Sequence, residues 1–325
     1  MTKEIGGFVE LELKKGKHFH KNAILLNSAR NALRYALRAY NVREIYAPYY
    51  TCPVVWQAIE AESCTIIPYE IDEYFMPKVR FDKKRFVLYT NYFGICAKQI
   101  KTLARLYPNL LIDNAMSFYM KHFGLASLYS PRKFFGVADG GILLCSKKID
   151  EKFPKDTSYQ RFSHLIKRVD GGSNFAYEDF NQNNDSLIDE PIKQMSNLTN
   201  KMLKGYDYTS AKIKRLKNFD YLARKLHSIN LLKDMLNYYV DGGGGLNVPM
   251  HYPLLLKNAT KAYKELLDNQ IYCPKPWRGM LDLIGNHKCK VERNFYANLI
   301  PLIIDQRYGK KDLDRIVSII KGSYK

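Results

Sequence analysis

One short stretch of the sequence directs the interpretation of the rest. Residues 130–141 read Ser130-Pro131-Arg132-Lys133-Phe134-Phe135-Gly136-Val137-Ala138-Asp139-Gly140-Gly141. The stretch lies between two short apolar runs, and its glycines permit a tight connection. Burial beside Phe134 and Phe135 would lower the pKa of Lys133, and a lysine tuned in this way forms Schiff bases as an amine nucleophile. The alternative is a solvated basic turn, which is the commoner outcome for a lysine in a basic chain.

Length and composition indicate a folded protein with a sizeable core. The chain has 325 residues, of which 46% are hydrophobic, enough for two domains or for one large domain with a satellite. The start of the sequence has no apolar signal core, and no apolar run is long enough to span a membrane. The six cysteines show no metal-ligand spacing, so we expect reduced thiols, no metal site and a cytoplasmic location.

The formal net charge is +19, which favours anionic partners. Such partners include phosphorylated small molecules, nucleotides, nucleic acids and membrane surfaces; simple solubility is the alternative explanation. The charges are dispersed, and neither a zinc finger nor an RNA-binding aromatic signature accompanies them. We therefore expect an anionic small-molecule substrate and neither a nucleic-acid nor a membrane partner.

Strand and helix patterns alternate through the first half of the chain. This alternation predicts an α/β fold with a mostly parallel sheet and helices on both faces. Ligands of such sheets bind beyond the carboxyl ends of the strands. Five polar or aromatic elements fall at predicted strand ends and should converge on one edge: Asn27-Ser28, Pro48-Tyr49-Tyr50, Asn91-Tyr92, Asp113 and Ser130–Lys133. The residues after Ser28 begin a helix, whose free N–H groups form an anion site or, alternatively, only an ordinary serine cap.

The flanking regions follow other patterns. Residues 1–22 resemble an edge strand, and residues 150–200 are polar and turn-prone, which indicates a crossing segment with a helix from Lys193 to Leu203. Beyond a glycine connector at Asp241–Gly245, the patterns predict an α+β unit. Its predicted strands are Val248–Leu256, Gln270–Cys273 and Leu299–Ile304, and its closing helix is Lys311–Lys321. We predict a large domain over residues 1–205, whose first ~20 residues pack there or on the second domain, and a small domain over residues 206–325.

The order and spacing of these elements resemble the DegT/DnrJ/StrS family of pyridoxal-phosphate (PLP) enzymes, which have the aspartate-aminotransferase fold, fold type I. Asp113 lies twenty residues before Lys133, and Lys133 lies six residues before Asp139-Gly140-Gly141. The other matching motifs are Asn27–Leu33, Pro48–Thr51, Asn91–Gly94, Asp207-Tyr208 with Arg215 and Asn218, Val248–Pro253, Ile271–Pro274 and Pro301–Tyr308. The resemblance thus extends over nearly the whole chain. It implies a seven-stranded-type sheet in a large domain, with a smaller C-terminal α+β domain.

The resemblance implies a role for each site residue. Lys133 would hold PLP as a Schiff base and move a proton, and Asp113 would keep the pyridine nitrogen protonated. A homodimer with shared active sites is implied, so Arg215 and Asn218 would reach the phosphate of a neighbouring subunit. Further cofactor contacts are implied for Ser28, Ala29, Arg30, Tyr49, Tyr50, Met116 and Ser130, and substrate contacts for Gly6, Gly7 and Tyr92.

Three positions depart from the family pattern. Met116 stands where a glutamine often contacts the ring hydroxyl, Cys52 stands where an aromatic residue often stacks, and Leu128 stands where a serine often binds phosphate. The catalytic pair is unaffected. The implied activity is transfer of an amino group from an amino acid such as glutamate to a keto group of a nucleotide-linked sugar or a related phosphorylated precursor of surface polysaccharide. The alternatives are another PLP enzyme, a lyase or decarboxylase, and a non-catalytic regulator or nucleic-acid binder with this fold.

Overall fold

The computed structural model describes residues 5–237, 248–275 and 277–324, and the expected glycine connector lies outside them. The strands are β1 Ile24–Leu26, β2 Glu44–Pro48, β3 Thr65–Tyr69, β4 Phe86–Thr90, β5 Leu110–Asn114, β6 Ala126–Tyr129, β7 Gly141–Cys145, β8 His251–Leu255 and β9 Leu299–Ile303. The α-helices are α1 Ala29–Ala39, α2 Pro53–Glu60, α3 Ala97–Leu106, α4 Ser163–Phe175, α5 Tyr177–Asp185, α6 Asn197–Gly205, α7 Tyr208–Leu226, α8 Thr260–Asp268, α9 Met280–Ile284, α10 Lys290–Asn298 and α11 Lys310–Tyr324.

The first seven strands form one sheet in the order β1-β7-β6-β5-β4-β2-β3. Strand β7 runs antiparallel to its neighbours β1 and β6, and the remaining ladders are parallel. Strand β5 lies in the middle and is buried along its whole length. Its apolar residues are those expected of a strand covered on both faces. The prediction of an α/β fold with a mostly parallel sheet is therefore confirmed.

Apolar side chains cover both faces of this sheet. On one face, α1 and α2 pack over Ile45, Leu88, Leu111 and Leu143. The core on the other face is continuous with the apolar residues of β8, β9 and the helices around them. Strands β8 and β9 form a separate antiparallel pair. The boundary at residue 205 stays a prediction.

Three local predictions were wrong. The turn-prone segment between residues 150 and 200 contains the helices α4 and α5, although α4 is interrupted at Gly172, where φ is +79°. Residues 270–273 form no strand, and residues 5–23 form none either. Strand β6, which had no separate prediction, supplies the end from which residues 130–133 emerge. Among the described residues, no helix is both long and apolar enough to cross a membrane.

Candidate active site

Strands β1, β2, β4, β5 and β6 point in the same direction, so their carboxyl ends share one edge of the sheet. The residues that follow or end these strands are the ones that the sequence singled out. Backbone pairing joins two of these ends directly, because Asn91 N–H donates to the carbonyl oxygen of Asp113 at 2.9 Å. The topology therefore places the predicted strand-end residues along one edge.

The segment with Lys133 forms a single 3₁₀ turn, Pro131–Lys133, directly after β6. The N–H groups of Phe134 and Phe135 both donate to the Pro131 carbonyl at 2.9 Å. The two aromatic side chains are buried, whereas Lys133 is exposed. The aromatics therefore anchor the turn and leave the lysine free at the strand-end edge.

Asp113 lies at the end of the neighbouring strand β5 and is buried. Its Oδ1 accepts a hydrogen bond from the Ala115 N–H at 2.8 Å. Burial raises the pKa of the Asp113 carboxyl, and the Lys133 ammonium and the Ala115 N–H act in the opposite direction. The structure thus brings a buried carboxylate and an exposed lysine into electrostatic contact.

The start of α1 lies against the end of the lysine stretch. Ser28 Oγ caps the helix by accepting the Asn31 N–H at 3.1 Å, which leaves the first N–H groups, those of Ala29 and Arg30, without an intrahelical partner. Gly140 N–H donates to the Asn27 carbonyl at 2.7 Å. A Cβ at Gly141 would overlap the Ser28 carbonyl. The glycine pair therefore allows the close approach that places this helix start beside the turn.

Asp139 ties the same stretch to α6. It is fully buried and accepts hydrogen bonds from the Ser196 N–H at 2.8 Å, from Ser196 Oγ at 2.7 Å and from Thr199 Oγ1. The sequence reasoning did not pair Asp139 with these residues. A serine at the start of a helical pattern marked the capping position, but nothing local indicated which carboxylate would meet it.

Several polar atoms beside Asp113 are buried without a partner among the described residues. They are Thr90 Oγ1 at the end of β4, Asn114 Nδ2 at the end of β5, and Ser117 Oγ. The Asn114 side chain is held by the Asn91 Nδ2, which donates to its Oδ1 at 2.9 Å. The sequence reasoning missed Asn114 and Ser117, although both lie within four residues of Asp113. Such groups are expected to bond a ligand or water.

The tyrosines predicted near the cofactor and substrate are deeply packed. Tyr50 and Tyr92 are fully buried with their ring centroids 5.5 Å apart, and neither hydroxyl has a partner among the described residues. Burial raises the pKa of both phenols. Tyr49 is also buried, and its ring lies 5.3 Å from that of His287. Met116 is buried nearby, with its carbonyl oxygen against Gly94.

Arg215 and Asn218, predicted to reach a neighbouring subunit, are buried within their own chain. Arg215 Nε donates to Gln306 Oε1 at 2.9 Å, and its guanidinium lies 4.5 Å from the Phe134 ring centroid. Asn218 Nδ2 donates to the carbonyl oxygens of Ile304, Asp305 and Tyr308. In this structure both side chains support the lysine turn and the end of β9, and Asn218 has no free donor for a phosphate.

The remaining predicted residues have fewer contacts with the lysine turn and Asp113. Ser130 is buried at the start of the lysine turn. The Arg30 side chain turns away towards the carbonyl oxygens of Leu187 and Ile188. Gly6 and Gly7 are exposed, and no atom lies within 4 Å of the place a Cβ would take at either. The structure therefore does not bring Gly6 and Gly7 to the strand-end edge.

The start of β8 also borders the lysine. His251 is buried, and its Nδ1 has no partner among the described residues. Burial lowers the pKa of His251 to about 3, with further lowering from Arg215 and Lys133 and an opposing effect of Asp305. This histidine is neutral at physiological pH, and it places the second sheet next to the lysine turn.

Comparison with solved structures identifies the architecture. A DegT DnrJ EryC1 StrS aminotransferase from Brucella abortus matches with a TM-score of 0.59 at 12% identity, over 93% of this chain and 86% of that one. Helicobacter pylori PseC, an aminotransferase involved in the biosynthesis of pseudoaminic acid, matches with a TM-score of 0.59 at 14% identity, over 94% and 87%. The chain has the fold of these aminotransferases.

A third structure with this fold contains a cofactor. Bacillus subtilis NtdA with bound cofactor PMP matches with a TM-score of 0.61 at 12% identity, over 93% of this chain and 73% of that one. No protein-family model matches the chain, and no curated protein matches it either. These comparisons confirm the predicted fold, fold type I.

Proposed function

We propose that the protein is a PLP-dependent aminotransferase of the DegT/DnrJ/StrS type. One observation carries the proposal: the exposed Lys133 lies on a turn after β6, beside the buried Asp113 at the end of β5. Three features at this edge match the three groups of PLP. The amine matches the aldehyde, the buried carboxylate matches the ring nitrogen, and the helix start matches the phosphate.

The residues present fit this cofactor. Asp113 is a buried carboxylate whose pKa is raised by burial, so a protonated ring nitrogen beside it would stabilise its charged form further. Asn114 Nδ2 and Ser117 Oγ are buried donors without partners among the described residues. A polar ligand at this edge would satisfy these groups.

Each residue has a distinct task in the proposal. The Lys133 amine would hold the aldehyde and, once the amino donor has displaced it, would take the proton from the donor's Cα. Asp113 would keep the ring nitrogen protonated, and the N–H groups of Ala29 and Arg30, with Ser28 and Ser130, would bind the phosphate. When bound, PLP supplies an electron sink for the negative charge that develops at Cα. Tyr49 directly follows β2 and Met116 lies two residues after β5, so both would border the ring at this edge.

We propose glutamate or another amino acid as the donor, and a keto group on a nucleotide-linked sugar or a related phosphorylated precursor as the acceptor. The net charge of +19 favours an anionic acceptor. The biosynthesis of pseudoaminic acid involves PseC, which has the same fold. A cytoplasmic enzyme of surface-polysaccharide synthesis is consistent with the six free cysteines.

We further propose a homodimer with its interface beside the active site. Helices α4 and α5 expose several large apolar side chains, which are Ile166, Val169, Phe175, Tyr177 and Phe180. Arg132, the neighbour of Lys133, donates from Nη2 to Asn184 Oδ1 at 2.7 Å and so joins α5 to the lysine turn. A second copy covering this apolar surface would complete the site from outside.

A two-stage assay tests the activity. The purified protein with PLP is mixed with glutamate, and formation of 2-oxoglutarate is measured as the aldehyde absorbance disappears. The amino form is then mixed with individual keto-sugar nucleotides, and an acceptor restores the absorbance. A lyase or decarboxylase would release a product other than 2-oxoglutarate, and a non-catalytic protein would change neither compound. Either outcome contradicts the proposal.

A further inference from the structure

Three side chains able to bind a metal meet close to Tyr49 and Tyr50. Glu70 directly follows β3, Cys289 directly precedes α10, and Glu292 lies in the first turn of α10. One ligand atom from each lies within 4.8 Å of those of the other two. Because Glu70 is distant from the other two in sequence, their spacing along the chain gives no sign of the cluster.

One carboxylate oxygen of Glu292 is buried in this cluster without a hydrogen-bond partner among the described residues. The Glu292 side chain is fully buried, and Oε1 accepts the N–H of Ile71 at 2.6 Å. Its second oxygen, Oε2, is buried without any partner among the described residues. Cys289 is fully buried beside it. Glu292 Oε2 therefore has no hydrogen bond to offset its burial, and it lies beside a buried thiol that could bind the same ligand.

The basic side chains nearby do not supply that cation. Lys78 pairs with Glu70 at 3.2 Å, but both side chains are more than one third exposed, and a surface pair of this kind is weak. Arg293 donates instead to the carbonyl oxygens of Gly285 and His287. Within the described residues, no ion pair reaches Glu292.

We propose that Glu70, Cys289 and Glu292 bind a divalent cation, with Zn²⁺ as the best match to one thiolate and two carboxylates. Zn²⁺ accepts sulfur and oxygen ligands in tetrahedral sites, and water would fill the fourth position. Binding releases the thiol proton of Cys289 to solvent, and the N-terminal end of α10 stabilises the resulting thiolate. The site joins the end of β3 to α10, and the argument for it does not rest on the proposed aminotransferase activity.

Cobalt is the probe for this site, because Co²⁺ replaces Zn²⁺ in such sites and a cobalt–thiolate bond has a charge-transfer absorption. The full-length protein with its cofactor is dialysed against a chelator and titrated with Co²⁺, and the spectrum before addition is subtracted. We expect a thiolate band that saturates at one equivalent and disappears when Zn²⁺ is added. The Cys289→Ser variant should lose the band, whereas Cys145→Ser, at a half-buried cysteine outside the cluster, should keep it.

A second variant keeps the test decisive if Cys289→Ser does not fold. Glu292→Gln retains the side-chain shape and an acceptor for the Ile71 N–H, and it should weaken Zn²⁺ binding by about 100-fold, as measured by competition with a coloured chelator. The proposal is overturned by any of three results. These are no thiolate band in the wild-type protein, an unchanged band in Cys289→Ser, or unchanged Zn²⁺ affinity in Glu292→Gln.

Discussion

Gly141 packs so closely against Ser28 that a Cβ at position 141 would overlap the Ser28 carbonyl oxygen. This contact holds the start of α1 beside the turn with Lys133, and both elements belong to the proposed PLP site. We expect Gly141→Ala to lower the free energy of unfolding by about 3 kcal/mol and to weaken PLP retention, because the backbone at Ser28 must move.

Gly136→Ala is the matched control in the same stretch. The nearest atoms to a Cβ there lie 3.7 Å away, which is an ordinary contact. Urea unfolding and the bound-cofactor absorbance measure both effects. Equal stability and equal cofactor retention in the two variants would show that the Gly141–Ser28 contact does not organise the site.

Asp113→Asn should have opposite effects on the cofactor-free and PLP-bound protein. Because burial raises the folded-state pKa of Asp113, the folded state holds a proton that the unfolded state loses, and stability falls as pH rises through this interval. Without PLP, the variant should therefore be more stable than wild type at pH 7, with the difference vanishing below the usual carboxyl pKa. With PLP, wild type should gain more stability than the variant.

Thermal unfolding at several pH values, with and without PLP, measures this reversal. Asp139→Asn is the control, since Asp139 is also a buried aspartate but accepts three hydrogen bonds. Replacing the Asp139 carboxylate should destabilise the cofactor-free and the PLP-bound protein alike, by about 1–3 kcal/mol. If PLP stabilises Asp113→Asn as strongly as wild type, Asp113 does not face the cofactor.

The sequence could place Lys133 and Asp113 at strand ends because their positions follow from local patterns, while their catalytic roles stay a prediction. Asp113 lies near the end of the buried strand β5, Lys133 lies on the turn that follows β6, and parallel strands bring such ends together. The surroundings of Arg215 and Asn218 were harder to predict, because whether a helical side chain is exposed or buried depends on what packs over it. Here β9 and the lysine turn cover both residues.

Helices α4 and α5 show the same difficulty. Their glycine- and asparagine-rich sequences have weak helix propensity, so local reasoning predicted turns. In the folded chain Asn183 Nδ2 donates to the Ala138 carbonyl at 3.0 Å, and Arg132 holds Asn184. Such tertiary contacts stabilise a helix that its own residues do not favour. The turn-prone character that the sequence indicated persists only at Gly172, where α4 is interrupted.

His251→Asn should make the protein less sensitive to mild acid. The folded-state pKa of His251 is lowered to about 3, so below pH 6.5 the unfolded state holds one more proton at this residue. Stability therefore falls as pH falls, by up to about 1.4 kcal/mol per pH unit. Removing the imidazole should reduce this slope, as measured by urea unfolding between pH 7 and pH 5.

His227→Asn, which makes the same substitution at an exposed histidine, is the matched variant for this measurement. Identical slopes for wild type and His251→Asn would contradict the burial of a neutral imidazole next to Arg215 and Lys133.

Val169→Glu should weaken the proposed homodimer. Val169 on α4 is 85% exposed, and a carboxylate at this position would be buried without a partner in the interface. We expect sedimentation equilibrium to show a dimer for wild type and mainly monomer for the variant. Val79→Glu, at an exposed valine elsewhere, should stay dimeric. A dimer that both variants leave intact would place the interface away from α4 and α5.

The most direct test of the account is chemical trapping of the cofactor on Lys133. Wild-type protein with PLP is reduced with borohydride, digested, and analysed by mass spectrometry for the modified lysine. The account predicts one phosphopyridoxyl group on Lys133, and none in Lys133→Ala, while Lys121→Ala, at another exposed lysine, is modified like wild type. Trapping on a different lysine, or a reducible adduct in Lys133→Ala, would contradict it.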